Sequence, residues 1–484
     1  MKIAKELAKS KKKLKNLLGS DDVKTLSFEV SGKEIFLVFL DGLTDKQAIG
    51  RQIMLPLKSL AEVTLDSMEN CILEPEIKKL SSYAEIEEAV LAGDTVVLAD
   101  GVAGAVSASA KMFEKRSVAE PPTATVLQGP REGFVETLQT NVGMMRRRLK
   151  TQDLKFEQYT VGKYSGTTVC VCYVAGVVRP GLKEKIVKKI KEIDMDAVLD
   201  SSYIARFLAE HNTSLFKQFG TTEKPDILAA KILEGRVGIL VDGSPIAITA
   251  PYILLEDFQS AEDYYVSRYR ASLGRVIRLI ATMISLLAPA IFVAAQLFHL
   301  QIIPLTFLLT IVNSIKGIPL SPSFEMFFTL LIFEVLNEAS VRMPKYVGMV
   351  VSIVGGLVLG ETAVNAGIIS APALMIIALS GICLYTTPEL ERQFSVIRVI
   401  LLFVAGAFGA YALLLAIAAF FIYLCSFENY DTPLLAPYAP MAPKDLKDGF
   451  IKKDQGDEVL RPVTFQSPNK VRMRVRKEKK DNGV

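Results

Sequence analysis

The sequence lacks tryptophan and contains only two histidines and five cysteines among 484 residues. The cysteines are odd in number and lack the paired spacing of a zinc site, so we expect reduced thiols and no metal centre. No G-x-G-x-x-G or G-x-S-x-G motif occurs, and Gly162-Lys163 lacks the upstream glycine of a phosphate-binding loop. Asp242 and Ser244 fit a turn better than a nucleophilic pair. The sequence therefore predicts that the protein is not an enzyme and has no catalytic residue and no cofactor.

A cleavable signal peptide is also missing. Residues 1–18 are basic and contain no apolar run long enough for one, so we expect the N-terminus to stay cytoplasmic. The first fifteen residues carry seven lysines against one acid, Glu6. Such an arm favours contact with anionic lipid. We expect no nucleic-acid partner, because no aromatic residue is interleaved with the basic run from Lys9 to Lys15.

Charged side chains are scarce in one part of the chain. Residues 276–426 contain only six Lys/Arg and six Asp/Glu, and the whole chain is 50% hydrophobic with a mean hydropathy of +0.32. This is too apolar for a soluble protein of this length. We therefore predict an α/β cytoplasmic region of two small subdomains followed by an all-α polytopic membrane domain.

Shifts in composition divide the chain into six predicted segments. They are a basic N-terminal arm (1–23), a first cytoplasmic α/β subdomain (24–118), a second cytoplasmic α/β subdomain (119–255), a juxtamembrane linker (256–275), a membrane domain (276–426) and a basic, mostly disordered cytoplasmic tail (427–484). Alternating runs on both sides of Ser31-Gly32 predict a hairpin. Pro121 and Pro122 close the first subdomain, because two consecutive prolines cannot continue a helix or a central strand.

The membrane domain is expected to contain four to six helical segments, with both chain ends cytoplasmic. Residues 276–300 are long enough to cross a hydrocarbon core of about 30 Å. Ile302–Ile315 is too short for an ordinary crossing, which leaves a re-entrant piece or a tightly buried helix. Arg392 and Arg398 favour a cytoplasmic start for the last apolar segment, and the basic tail that follows this segment also favours the cytoplasmic side. A single crossing cannot have both of its ends on the same side. One apolar segment is therefore not a simple crossing.

A polar stripe lies within this apolar region. In a helix, Glu334, Glu338 and Arg342 recur every four residues and share one face, with Glu338 well placed to pair with Arg342. Charged groups at membrane depth usually face protein or water. We predict that these three residues form an intramembrane polar seam between neighbouring helices.

Small residues recur at helical spacing in the segment that follows. In a helix, this spacing places the small residues on one side. A side of this kind either lets helices approach closely or lines a passage, and the residues alone leave both interpretations open. The candidates for lining a pore are Gly348, Ser352, Val354, Gly355, Leu357, Gly360 and Glu361.

Several long, collinear stretches are distinctive. They are GPREGFVE (129–136), the arginine cluster ending at Arg148, TEKPDILAAKILEGRVGILVDGSP (222–245), EDYY (262–265), and FEMFFTLLIFEVLNEASVRMP through VGGLVLGETAV. Together they resemble the GerA family of spore germination membrane proteins, which includes the A subunits of nutrient germinant receptors and the paralogue SpoVAF. The resemblance covers nearly all of residues 25–440.

The resemblance implies a multi-pass protein of the inner spore membrane whose membrane region forms a homo-oligomeric, pentameric ion channel. It also implies action beside a transporter-like B subunit, thought to bind the nutrient, and a lipoprotein C subunit; opening releases monovalent cations. Asn337 stands where many A subunits have arginine, and Glu361 where many receptors have glutamine but SpoVAF-like chains have an acid. Receptor A subunit and SpoVAF-like paralogue therefore stay as alternatives.

On this interpretation, copies of a helix over residues 347–367 line a cation pore. A ring of Glu361 carboxylates favours cations, and Val354 and Leu357 are candidates for an apolar constriction. Two functions from other classes stay open. A secondary transporter would use the broken region near Pro304 and Pro319, and a non-conducting scaffold would organise germination partners through the α/β region.

Overall fold

The computed structural model describes residues 2–111, 128–211, 214–342 and 360–473. Within these residues the chain forms two compact units. The α/β unit contains the described residues up to Tyr252, the short segment Asn429–Thr432 and the residues from Gln455 onward. The helical unit contains Ile253–Glu428, as far as it is described, and Pro433–Asp454. The predicted fold class, an α/β region followed by a region of apolar helices, is confirmed.

The first lobe of the α/β unit is built around an antiparallel five-stranded sheet. Its elements are α1 (Leu7–Leu17), β1 (Val23–Val30), β2 (Lys33–Leu40), α2 (Lys46–Ala48), a π-helical turn (Ile49–Met54), α3 (Leu55–Lys58), α4 (Leu65–Cys71), β3 (Ile77–Leu80), α5 (Tyr83–Leu91), β4 (Thr95–Ala99) and β5 (Ala105–Ala108). The sheet order is β1-β2-β4-β5-β3. The predicted hairpin is confirmed, with Ser31 (φ 49°) and Gly32 (φ 76°) both left-handed, as a two-residue type I′ turn requires.

Alternation along β2 places apolar side chains on both faces of this sheet. Phe36 and Val38 pack with α1 and α5 on one side, while Leu37 packs with the π turn, α3 and α4 on the other. Leu7 and Leu14 of α1 are buried in the first of these layers. The basic arm predicted for residues 1–23 is therefore part of the first lobe rather than a separate segment.

The second lobe repeats the same design. Its elements are α6 (Leu138–Arg148), β6 (Leu154–Val161), β7 (Thr167–Val174), α7 (Leu182–Lys191), α8 (Ser201–Leu208), β8 (Gly220–Thr222), α9 (Pro225–Leu233), β9 (Val237–Val241) and β10 (Ala247–Ala250). The sheet order is β6-β7-β9-β10-β8, which matches the first lobe strand for strand. Sequence patterning predicted two subdomains but not that they share one topology.

A buried ion pair and a close backbone approach join the two lobes. Arg146 Nε lies 2.6 Å from Asp22 Oδ2 and Arg146 Nη2 lies 2.9 Å from Asp22 Oδ1, with both side chains almost fully buried. A Cβ added at Gly143 would stand 2.5 Å from the Gly42 carbonyl oxygen, so only glycine fits there. These contacts fix the lobes against each other.

The helical unit contains long and short apolar helices. They are α10 (Arg268–Phe298), α11 (Leu305–Ile315), α12 (Pro322–Arg342), α13 (Ala371–Leu384) and α14 (Glu391–Ser426), with residues 360–365 also helical. Among the described helices, α10 and α14 are long and apolar enough to cross a membrane. At 1.5 Å per residue, α14 would span about 54 Å if straight, but Gly409 (φ 77°) interrupts it. Within the single chain, Leu305 of α11 is 70% exposed and Ile311 is buried.

The start of the tail is ordered against α10, although the sequence predicted disorder. Arg275 is fully buried and lies 2.8 Å from Asp448 and 3.0 Å from Asp263. Lys452 donates to the Asp263 carbonyl oxygen at 2.8 Å. Composition predicts disorder for this proline- and charge-rich stretch, but the buried guanidinium needs acceptors, and the tail supplies them. Further along the tail, Ser467 donates to the Val177 carbonyl oxygen at 2.6 Å in the second lobe.

Candidate functional site

A buried arginine connects four helices of the helical unit. Arg398 of α14 is 1% exposed and forms an ion pair with Glu334 of α12. Its Nη1 donates to Ser380 Oγ of α13 at 2.9 Å, and that hydroxyl donates to the Ser285 carbonyl oxygen of α10 at 2.8 Å. A buried cation of this kind needs compensation, and here one carboxylate and one hydroxyl provide it.

The polar contacts of α12 continue on both sides of that ion pair. Glu334 also accepts from Ser395 Oγ at 2.8 Å, and the next turn of α12 carries Asn337. The Asn337 side-chain oxygen accepts from Tyr385 at 2.8 Å, and its amide donates to Glu391 at the start of α14. Asn337 therefore joins α12 to the C-terminal end of α13 and to the start of α14 through hydrogen bonds, one of them to the Glu391 carboxylate.

The predicted seam divides into two parts. Glu334 reaches another helix, whereas Glu338 and Arg342 pair within α12, with Arg342 Nε 2.8 Å from Glu338 Oε1. The side chains of Glu338 and Arg342 are 66% and 77% exposed. The i,i+4 pair predicted from spacing is present, and the ion-pair partners of both side chains among the described residues lie within α12.

A second buried carboxylate holds a helix terminus. Glu325, in the first turn of α12, is 1% exposed, and its Oε1 accepts the Ser370 backbone N–H at 2.6 Å. Ser370 is the N-cap of α13 and accepts from the Ala373 N–H. A carboxylate at this end is stabilised by the helix dipole and satisfies a backbone donor that the helix itself leaves open. Glu325 therefore ties α12 to α13.

Small residues allow some of these helices to approach closely. A Cβ at Gly381 of α13 would stand 2.1 Å from Phe333 Cζ of α12, and one at Gly406 of α14 would stand 2.6 Å from Ser323 Oγ. These glycines serve packing within one chain, which is the ordinary role of small residues between apolar helices.

The predicted pore candidates fall largely outside the described residues. Those outside are Gly348, Ser352, Val354, Gly355 and Leu357. Gly360 faces α13, because a Cβ there would lie 3.3 Å from Leu374 Cδ2. Glu361, the next residue, is exposed, and among the described residues it has no hydrogen-bond or ion-pair partner.

The distinctive motifs of the α/β unit have structural roles there. Glu132 of the GPREGFVE stretch lies 2.9 Å from Arg147 and 3.0 Å from Arg148, so two of the resembling segments meet. Burial opposes ionisation of Glu132, but the two guanidinium groups outweigh it and lower its pKa. Asp242 accepts the Leu138 N–H at the start of α6 and lies in a turn, as the sequence predicted.

A cleft of about 430 Å³ opens between the two lobes of the α/β unit. Its lining comes from both lobes and includes Asp41, Thr44, Asp45, Thr140 and Arg147. Charged side chains of both signs lie in this lining beside the apolar Leu43 and Met144.

The residue that sequence reasoning missed is Arg398. Its charge was used only to orient α14, although an arginine inside the apolar run 397–425 is a strong signal for a buried partner. Glu334 lies 64 positions earlier, and no helical spacing connects residues so far apart.

Residues 8–463 match the family model described as "Bacillus/Clostridium GerA spore germination protein". The chain is 32% identical to "Spore germination protein KA" of Bacillus subtilis (strain 168), over 97% of this chain and 88% of that protein. It is also 32% identical to "Uncharacterized membrane protein YfkQ" of the same organism, over 92% of this chain and 88% of that protein. This chain is also similar to a crystal structure of the N-terminal domain of the A subunit of the Bacillus megaterium spore germinant receptor GerK3. The sequence identity is 24% and the TM-score is 0.40, and the match covers 52% of this chain and 98% of the GerK3 domain.

Proposed function

This chain belongs to the GerA family of spore germination proteins and is of the germinant receptor A-subunit type, and from that premise we propose that it forms a nutrient-gated or germination-linked cation channel. In this proposal several copies, five in the family pattern, surround a common axis in the inner spore membrane. Opening releases monovalent cations at the start of germination. The B and C subunits of a germinant receptor, or another small membrane partner, act beside it.

The exposed carboxylate of Glu361 is the observation that carries the proposal. Glu325 and Glu334 are satisfied between helices, and Glu338 pairs with Arg342. Glu361 alone among these four acids has no partner among the described residues, although it stands in a helix of an apolar bundle. An ionised carboxylate facing lipid is costly, so in an assembly it must face water or protein. A ring of such groups around a wet axis satisfies this requirement and favours cations.

The exposed lysines of α1 support an anionic lipid partner. Leu7 and Leu14 are used by the first lobe, so α1 does not offer its apolar face to a bilayer. Lys12 and Lys15 of α1, and Lys5 just before it, remain exposed and available for anionic headgroups. The interaction is therefore electrostatic and weakens as salt rises.

Glu361→Gln tests the channel and its selectivity together. Purified full-length protein is placed in planar bilayers, and the permeability of cations over anions is taken from reversal potentials in a salt gradient. We expect Glu361→Gln to lower that ratio, whereas Glu338→Gln, which removes the exposed acid of α12, leaves it unchanged. Conduction with equal selectivity in wild type and Glu361→Gln rejects the carboxylate ring.

The same preparation separates the other functions. Unitary currents support the channel, saturable substrate flux supports a secondary transporter subunit, and silence with partners supplied supports a non-conducting scaffold for the germination complex.

A further inference from the structure

A tyrosine just beyond α14 is held in the core of the second lobe. Tyr430 is fully buried, its hydroxyl donates to the Leu208 carbonyl oxygen at 2.7 Å, and its N–H donates to Glu210 at 2.7 Å. Its ring meets Phe219 edge-on at 5.9 Å, and the Lys189 ammonium lies 5.1 Å from the ring centroid. These contacts fix both the backbone and the side chain of a residue that follows the end of α14 by only four positions.

The neighbours of Tyr430 hold the same lobe. Asn429 donates to the Gln218 carbonyl oxygen. Asp431 pairs with Arg179 and lies 2.7 Å from the Lys185 ammonium. Tyr430 (φ 49°) and Asp431 (φ 54°) are both left-handed, a conformation that side-chain-bearing residues keep only where surrounding contacts impose it. We call the segment Asn429–Thr432 the hook.

Hydrogen bonds in the helical unit tie together the chain on either side of the hook. The Leu434 N–H donates to the Phe427 carbonyl oxygen at 3.0 Å, which closes the chain around the hook. The Leu434 carbonyl oxygen in turn accepts from the Leu254 N–H at 2.8 Å, on the chain that leads towards α10. The chain that enters the membrane helices and the chain that leaves them are therefore joined beside the hook.

We propose that Tyr430 is the positioning residue through which the second lobe controls α14, and with it the opening of the pore. Asn429 follows Ser426, the last residue of α14, by three positions. Even when fully extended, this connection spans no more than about 10 Å. A larger displacement of the lobe must therefore either pull on α14 or extract the hook. This step rests on the proposed channel, because it assigns the control of opening to a specific contact.

Substitutions in the hook separate control from simple stability. Full-length Tyr430→Ala, Tyr430→Phe and Ile190→Ala proteins are compared in planar bilayers. Ile190 lies in the same core cluster but outside the hook, so Ile190→Ala controls for loss of buried apolar volume. We expect Tyr430→Ala to keep the unitary conductance and change the ratio of open to closed channels at least about tenfold, a shift of about 1.4 kcal/mol. Tyr430→Phe keeps the ring contacts and retains most of the wild-type behaviour.

Hydrogen exchange gives a second measurement that does not depend on conduction. In liposomes, Tyr430→Ala is expected to speed amide exchange in residues 418–427 of the α14 end, while Ile190→Ala speeds exchange only within the second lobe. Equal open-to-closed ratios in Tyr430→Ala and Ile190→Ala, or unchanged exchange at the α14 end, overturn the coupling role. A wild type that stays silent with partner subunits supplied rejects the channel instead. The exchange result alone then decides whether Tyr430 couples the second lobe to α14.

Discussion

Arg398 of α14 and Glu334 of α12 form an ion pair at the point where four apolar helices meet. The two residues lie far apart in sequence, so the pair forms only when α12 and α14 are correctly packed. A buried pair of this kind adds little net stability but penalises strongly every arrangement that separates its members. Its effect is therefore to select one packing of the helices.

Removing the arginine is expected to destabilise the helical unit strongly. Arg398→Met leaves Glu334 without its cation, which costs about 3–5 kcal/mol, so accumulation in membranes and the midpoint of thermal unfolding in detergent both fall. Arg342→Ala is the matched control, because it removes an exposed i,i+4 partner worth about 0.3–0.5 kcal/mol. The double variant Glu334→Met, Arg398→Met should recover part of the loss. Equal unfolding midpoints for Arg398→Met and Arg342→Ala would contradict the role of the pair.

The junction between the lobes makes a separate prediction. Gly143→Ala places a methyl group 2.5 Å from the Gly42 carbonyl oxygen, which forces two backbone segments apart. Overpacking of this kind typically costs about 1–3 kcal/mol. The measurement is thermal unfolding of the full-length protein in detergent. Gly50→Ala is the control, since nothing lies within 4 Å of the added Cβ there; a similar small effect for both variants would show that the junction tolerates bulk.

Local patterns predicted much of the α/β unit. The Ser31-Gly32 hairpin and the turn at Asp242 each depend on residues near one another in sequence. The shared topology of the two lobes depends on which strands pair across tens of residues, and alternation along a strand does not specify its partner. The fold class was therefore predictable, while the internal duplication was not.

The helical unit shows the same limit more sharply. Glu338 and Arg342 lie one turn apart, and spacing predicted their contact correctly. The partner of Glu334 lies on another helix, and Asp448, one of the two ion-pair partners of Arg275, lies in the tail beyond α14. A buried charge can be recognised from its apolar surroundings, but its partner is set by helix packing, which periodicity does not encode.

The cap on α13 distinguishes charge from hydrogen bonding. Glu325→Ala removes the acceptor of the Ser370 N–H, and a hydrogen bond to a charged group is worth about 1.5–3 kcal/mol. Glu325→Gln keeps an oxygen acceptor of the same length and loses only the charge at the helix terminus, so we expect a smaller loss. Thermal unfolding in detergent measures both. If the two variants lose the same stability, the amide is not accepting that hydrogen bond and the capping role fails.

A half-buried carboxylate on β6 predicts a pH dependence. Burial alone would raise the pKa of Glu157, but hydrogen bonds from Tyr159 (2.6 Å), Tyr173 (2.6 Å) and Lys183 (3.1 Å) outweigh it and lower the pKa. Because the folded protein then binds this proton less readily than the unfolded chain, Glu157 stabilises the fold above the ordinary glutamate pKa of about 4.3. That stabilisation is lost as the pH falls through the lowered folded-state value.

Glu157→Gln should therefore lower the free energy of unfolding at pH 7 by about 1–3 kcal/mol, the worth of hydrogen bonds to a charged group. The difference from wild type should shrink as the pH falls below about 4. Denaturant unfolding of the full-length protein at a series of pH values measures both effects. Glu192→Gln is the control, because that acid is 61% exposed and its ammonium partner Lys188 lies 3.9 Å away. A difference in the free energy of unfolding between wild type and Glu157→Gln that stays constant from neutral to acidic pH would contradict this prediction. It would mean that the carboxylate is not ionised in the folded protein and that the hydrogen bonds from the two tyrosines do not depend on its charge.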